Sequence, residues 1–135
     1  MGQQQLLLII LGVIVVGIAV AVGITMFQDN ATSSNRDSVT NDLVNLAARA
    51  QEYYRRPVTL GGGGNSFVGL TANAAGLAKL TSKASNANGS YDITTAGTAT
   101  TVVLQGTGVE KGSDGSAILV TMSVFADSTY VTQNN

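Results

Sequence analysis

An uninterrupted apolar segment near the start of the chain dominates the hydropathy pattern. No charged residue occurs from Leu6 to Phe27, and nearly every position is Leu, Ile, Val, Ala or Gly. As an α-helix this segment would be about 33 Å long, which matches a bilayer hydrocarbon core of about 30 Å. It lacks the basic start and small-residue cleavage site of a secretory signal peptide. We therefore predict a retained membrane-spanning helix.

A second helical pattern follows, and it is apolar on one side only. Polar residues such as Asn41 and Arg49 lie off the apolar stripe, and Pro57 disfavours continuation of the helix beyond Arg56. The stripe recurs at steps of three and four residues and comprises Val39, Leu43, Leu46, Ala47, Ala50, Tyr53 and Tyr54. This pattern predicts an amphipathic helix that covers another layer of the protein.

The last third of the chain shows the alternation typical of β-strands. Tyr91 and Ile93 alternate with polar residues, the segment 100–104 is rich in β-branched residues, and the segment 118–124 places Ile, Val, Met and Val on one face. A turn is predicted at 112–115. Since a small antiparallel sheet needs a covering layer, the fold class is predicted to be α+β. A long N-terminal helix, apolar in its first half and amphipathic in its second, packs on a sheet of three or four strands.

Three regions follow from these patterns. Residues 1–28 form the hydrophobic helix of a membrane or filament core, residues 29–57 form the amphipathic half that packs on the domain, and residues 58–135 form a Gly-rich loop and the sheet. The segment 67–80 fits a strand, a short helix or both, so its structure stays open.

Composition narrows the functional classes. Charged residues make up 11% of the chain, the net charge is −1, and there is no Cys or His. Nucleic-acid binding is not expected without a basic field, and an enzyme is not expected without a convergent polar cluster. The glycines at 61–64 lack the Lys and Ser or Thr of a phosphate-binding loop, and the acidic residues near 110–114 lack calcium-loop spacing. No catalytic, cofactor-binding or metal-binding residue is predicted, and no cofactor.

Two sequence triplets match the acceptor pattern for N-linked sugar. They begin at Asn30 and Asn88, which are therefore candidate glycosylation sites. Because such triplets arise by chance, an unmodified Ser- and Thr-rich sheet is the favoured interpretation.

The layout resembles the type IV pilin family. A start of Gly2-Gln3-Gln4-Gln5 is followed at once by the apolar run, an Ala-rich helix end over 46–54, a Gly-rich loop and a small antiparallel sheet. Members of that family wait in the membrane as single-pass subunits until an ATP-driven machine packs them into a helical filament. The resemblance implies a structural subunit that forms a homo-oligomeric filament at the cell surface. Its other partners would be the inner membrane, which holds a pool before assembly, and the assembly machinery.

The resemblance also implies roles for particular residues. Gly2 and Gln3 flank a candidate processing point. Independently of the resemblance, Gly12, Gly17 and Gly23 are small positions at which helices could pack closely or the helix could melt locally, because Gly weakens a helix by about 1 kcal/mol relative to Ala. The filament core would be packed by Leu6, Leu7, Leu8, Ile9, Ile10, Leu11, Val13, Ile14, Val16, Ile18, Val20, Val22, Ile24 and Phe27.

Several family features are missing from this sequence. The glutamate near the start of the mature family helix is replaced by Gln5 or Leu7, depending on where the mature chain begins, and the usual cysteine pair and helix proline are absent. Two alternatives stay open beside the filament subunit. One is a pseudopilin or minor pilin of a secretion system, and the other is a membrane-tethered binding module that never polymerises.

Overall fold

The computed structural model describes residues 2–134 and confirms the α+β class, with a long N-terminal helix packed on a four-stranded antiparallel sheet. Met1, which begins the first predicted region, and Asn135, which ends the last, lie outside the described residues. The chain divides into two compact units between Ala31 and Thr32. In chain order the elements are α1 (Gly2–Arg55), a 3₁₀ turn (Val58–Leu60), α2 (Ala74–Leu77), β1 (Gly89–Thr95), β2 (Thr101–Lys111), β3 (Ala117–Phe125) and β4 (Thr129–Asn134).

The second half of α1 supplies the helical layer of the core. Its buried residues recur at steps of three and four, as the apolar stripe predicts. They are Asn35, Val39, Leu43, Leu46, Ala47, Ala50 and Tyr53, while Tyr54 is partly buried against the same core. The one polar member, Asn35, extends the stripe by one turn beyond the predicted apolar positions.

The sheet is a meander in which neighbours in sequence are neighbours in space, in the order β1-β2-β3-β4. Leu104 of β2 lies opposite Met122 of β3, and Met122 lies opposite Val131 of β4. Alternate residues of β2 and β3 are buried, so one face of the sheet meets the helix. The turn predicted at 112–115 is confirmed, since Gly115 donates a backbone hydrogen bond to the Gly112 carbonyl at 3.0 Å.

Strand β2 extends further than the predicted segment 100–104, through to Lys111. The sequence pattern understates it because Gly106 and Gly108 are poor strand formers. Both glycines lie on the buried face. A Cβ on Gly106 would stand 2.5 Å from Cγ1 of Val39, and a Cβ on Gly108 would overlap Oδ1 of Asn35. The glycines are therefore the surface that lets α1 approach the sheet closely.

The segment 67–80 contains a short helix and no strand. Asn73 caps α2, because its side chain accepts a hydrogen bond from the Gly76 amide at 3.0 Å. Phe67 and Leu70 are completely buried, and the backbone of each is hydrogen-bonded to the loop before β2. This segment closes one end of the core.

The Gly-rich segment 61–64 caps the C-terminal end of α1. Gly63 donates a hydrogen bond to the Tyr53 carbonyl at 2.8 Å, and Asn65 donates one to the Tyr54 carbonyl at 2.7 Å. Carbonyls at a helix end need partners from outside the helix, which these amides provide. A Cβ on Gly62 would overlap the Arg56 carbonyl, so glycine is required there for a close approach.

Candidate assembly surface

The apolar half of α1 exposes its side chains among the residues that the structure describes. Every large apolar side chain from Leu6 to Phe27 is at least 52% exposed. A soluble monomer rarely exposes a contiguous apolar patch of more than a few hundred Å². This segment therefore needs an apolar environment that the chain itself does not supply.

A membrane is one such environment. Among the described residues, α1 is the one helix long and apolar enough to cross a bilayer, and none of its apolar window is buried within the protein. Its length and composition are compatible with membrane association. Thr25, which interrupts the apolar run near its end, satisfies its hydroxyl by donating to the Ala21 carbonyl at 3.1 Å.

The candidate packing residues all lie on this uncovered half of the helix. No atom outside the local helix backbone stands within 4 Å of a Cβ placed on Gly12, Gly17 or Gly23, so each glycine leaves a notch in the helix surface. Gly2 begins α1, and Gln3 lies in its first turn, which contains no acidic residue. A neighbouring helix can approach most closely at such notches.

The two candidate glycosylation sites differ in their surroundings. Asn30 lies on the exposed surface of α1. Asn88 is half-buried, and its side-chain amide donates to Oδ2 of Asp42 at 2.9 Å. That amide nitrogen is the atom to which an N-linked sugar would be attached, so modification of Asn88 would replace one of its two N–H hydrogens and place the sugar beside Asp42.

Asp42 is the centre of a polar clasp between α1 and the start of β1. Its Oδ2 accepts hydrogen bonds from Asn86 at 2.8 Å, from Asn88 and from the Tyr91 hydroxyl at 2.5 Å. Burial of the carboxyl group alone would raise the pKa of Asp42, but these bonds outweigh burial and hold the pKa below 3.8. Burial and the bond to this carboxylate raise the pKa of Tyr91 well above 10.0.

Asn35 joins the same helix to the sheet one turn earlier. Its Nδ2 donates to the Asn88 carbonyl at 2.8 Å, and its Oδ1 accepts from the Glu110 amide at 3.2 Å. Neither Asn35 nor Asp42 was predicted as a structural residue. Asn35 could have been found, because it lies four residues before Val39 and so continues the apolar stripe. No sequence pattern indicates a structural role for Asp42, since its partners lie far from it along the chain.

The outward face of the sheet is almost uncharged and mixes polar side chains with apolar ones such as Val103 and Leu119. Gln105 lies opposite Thr121, and Thr121 lies opposite Thr132, in one row across three strands. Hydroxyl and amide side chains therefore occupy a face that alternates with the buried core positions. No group of three or more acidic residues that could hold a metal ion occurs within residues 2–134.

No protein-family model, curated protein or solved structure matches this chain. The fold and the surfaces described above are therefore the basis on which a function can be argued.

Proposed function

We propose that this chain is a structural subunit that polymerises through its N-terminal helix into a surface filament of the type IV pilus kind. The observation that carries the proposal is the uncovered apolar segment from Leu6 to Phe27, in which every large side chain is at least 52% exposed. Such a segment is stable in lipid or among other apolar helices. A filament subunit uses these two environments in succession.

The chemistry of the segment supports transfer from lipid into an assembly. It carries no charge from Leu6 to Phe27, so moving it from lipid to the centre of a helix bundle leaves no ion to desolvate. Gly12, Gly17 and Gly23 provide small positions at which helices in apolar surroundings pack closely. These features also suit a pseudopilin or minor pilin, which would share the fold and form a shorter assembly.

The compactness of the unit that begins at Thr32 supports the same proposal. This unit buries its own core under the second half of α1 and needs nothing from the apolar segment to do so. The apolar segment is therefore free for contacts between subunits. In the filament the sheet, with its weakly charged outer face, would form the wall.

A membrane-tethered binding module is the second candidate. It is favoured by the same uncovered helix, because a bilayer alone is sufficient to cover that surface. The two candidates differ in what happens when lipid and detergent are removed. A filament subunit forms regular fibres, whereas a tethered module forms irregular aggregates or stays in small oligomers.

The substitution Val16→Asp tests the proposal, with Val16→Ala as its control. An unpaired carboxylate in the apolar centre of a helix assembly costs several kcal/mol, while alanine keeps the surface apolar. We expect Val16→Asp to abolish fibres in electron micrographs of detergent-depleted protein, and Val16→Ala to retain them. Both variants should keep the thermal unfolding of the folded unit, because Val16 lies outside its core. Normal fibres from Val16→Asp would contradict the proposal.

A further inference from the structure

A basic cleft lies beside the C-terminal end of α1, remote in sequence from the apolar segment. Its volume is about 240 Å³, and its walls are Arg49, Glu52, Tyr53, Arg56, Lys79 and Leu80. Three of the seven Lys and Arg residues of the chain are therefore gathered around one small space. In a chain with so few charges, this concentration of positive charge is a distinct feature.

Backbone carbonyls hold two of these cations in place. Nη1 of Arg49 donates to the Leu80 carbonyl at 3.0 Å, and Nζ of Lys79 donates to the Gly69 carbonyl at 2.6 Å. Nζ of Lys79 also lies 5.9 Å from the centroid of the Tyr53 ring, within the range of a cation–π interaction. A carbonyl oxygen orients a cation but carries no formal negative charge of its own.

The remaining charges of the cleft largely cancel. Arg56 forms an ion pair with Glu52 one turn earlier on α1. Glu52 is the one carboxylate that lines the cleft, and it is paired with Arg56, so Arg49 and Lys79 face the space without an ion pair of their own. The dipole of α1 favours cations near its C-terminal end, but it does not account for Lys79, which follows α2.

We propose that this cleft binds a phosphate group between Arg49 and Lys79. Two uncompensated cations match the two negative charges of a phosphate dianion better than the single charge of a carboxylate. A guanidinium has five N–H donors and an ammonium has three, so each retains donors beyond its bond to a carbonyl. Arginine in particular suits the spaced oxygens of phosphate. The site is separate from the proposed filament contacts and does not depend on them.

Titration of the full-length protein in an uncharged detergent tests this site. Inorganic phosphate and glucose 6-phosphate are the two probes, added at constant ionic strength and followed by calorimetry and amide chemical shifts. We expect saturable binding with a Kd on the order of 1 mM for at least one probe. Tighter binding of glucose 6-phosphate would assign the site to phosphate esters, equal binding would assign it to the phosphate group whatever it is attached to, and binding of inorganic phosphate alone would assign it to the free ion. Each of these results supports the proposal.

Substitutions distinguish a specific phosphate site from nonspecific attraction of anions to positive charge. Lys79→Gln and Arg49→Gln should each weaken binding about tenfold, since each removes a charged hydrogen-bond donor. Lys83→Gln removes the same charge from a residue that does not line the cleft and should leave Kd unchanged. Thermal unfolding of each variant reports any loss that comes from folding alone. The proposal is overturned if neither probe binds saturably, or if Lys83→Gln weakens binding as much as Lys79→Gln.

Discussion

The two halves of α1 are apolar in different ways, and the difference separates folding from assembly. Between Leu6 and Phe27 the helix is apolar on all sides, and no large side chain there is buried. Between Asn35 and Tyr53 the buried residues follow a single stripe that faces the sheet. A stripe is satisfied by one neighbouring layer, whereas a helix that is apolar all round needs apolar surroundings on every side. Within residues 2–134, the sheet covers the stripe of the second half, while the large side chains of the first half stay exposed.

The largest expected contrast comes from matched truncations in the two halves. Leu43 is completely buried and Leu11 is 57% exposed. We expect Leu43→Ala to lower the free energy of unfolding of the folded unit by about 2–5 kcal/mol, because it leaves a cavity in the core. Leu11→Ala should leave that free energy unchanged. Denaturant unfolding in detergent micelles, followed by near-ultraviolet circular dichroism, measures both values, and equal losses would remove the distinction between the halves.

A smaller effect is expected where the helix meets the sheet. Gly106→Val would place side-chain atoms into the space that Val39 occupies, and overpacking of this kind costs about 1–3 kcal/mol. Gln105→Val changes the residue of β2 just before Gly106. Because the side chain of Gln105 faces away from the core, this substitution should leave the free energy of unfolding nearly unchanged. Urea denaturation of the two variants compares the faces directly. Close approach of α1 to β2 would be disproved if Gly106→Val were as stable as Gln105→Val.

The smallest expected effect is the acid dependence of the polar clasp. The folded state holds the pKa of Asp42 below its unfolded value of 3.8, so the carboxylate stabilises the fold above that pH. This contribution is lost as the pH falls through the lower folded value. Asp42→Asn should therefore show a smaller loss of stability than the natural chain between about pH 4 and pH 2. Thermal unfolding across that range measures the difference, and parallel curves would show that Asp42 does not contribute.

Sequence patterns predicted the elements whose burial is periodic. Such patterns are the stripe of α1, the alternation around Tyr91 and the alternation from Ile118 to Val124. Each predicts an element that is buried on one face, and the structure confirms all three. Strand β4 completes the sheet, but its position had no such signal. Five of its six residues are exposed, and only Val131 is partly buried. Backbone pairing with β3 places this strand, and backbone pairing leaves no hydrophobic period in a sequence.

Side-chain clusters were harder to predict than elements, because their members come together only in the fold. Asp42 accepts hydrogen bonds from Asn86, Asn88 and Tyr91, which lie far from it in the sequence. Arg49 and Lys79 are also distant in sequence and line the same cleft. By contrast, the apolar segment is contiguous, so the sequence alone located the whole candidate assembly surface. The layer that covers this surface has to come from the surroundings of the protein, because no contact among residues 2–134 buries it.

Electron microscopy of the full-length protein after removal of detergent tests the central claim most directly. The account predicts regular fibres whose centre consists of helices contributed by residues 6–27, with the folded units of residues 32–134 outside. Lone molecules that stay in lipid, and form no fibre at any protein concentration, would contradict it.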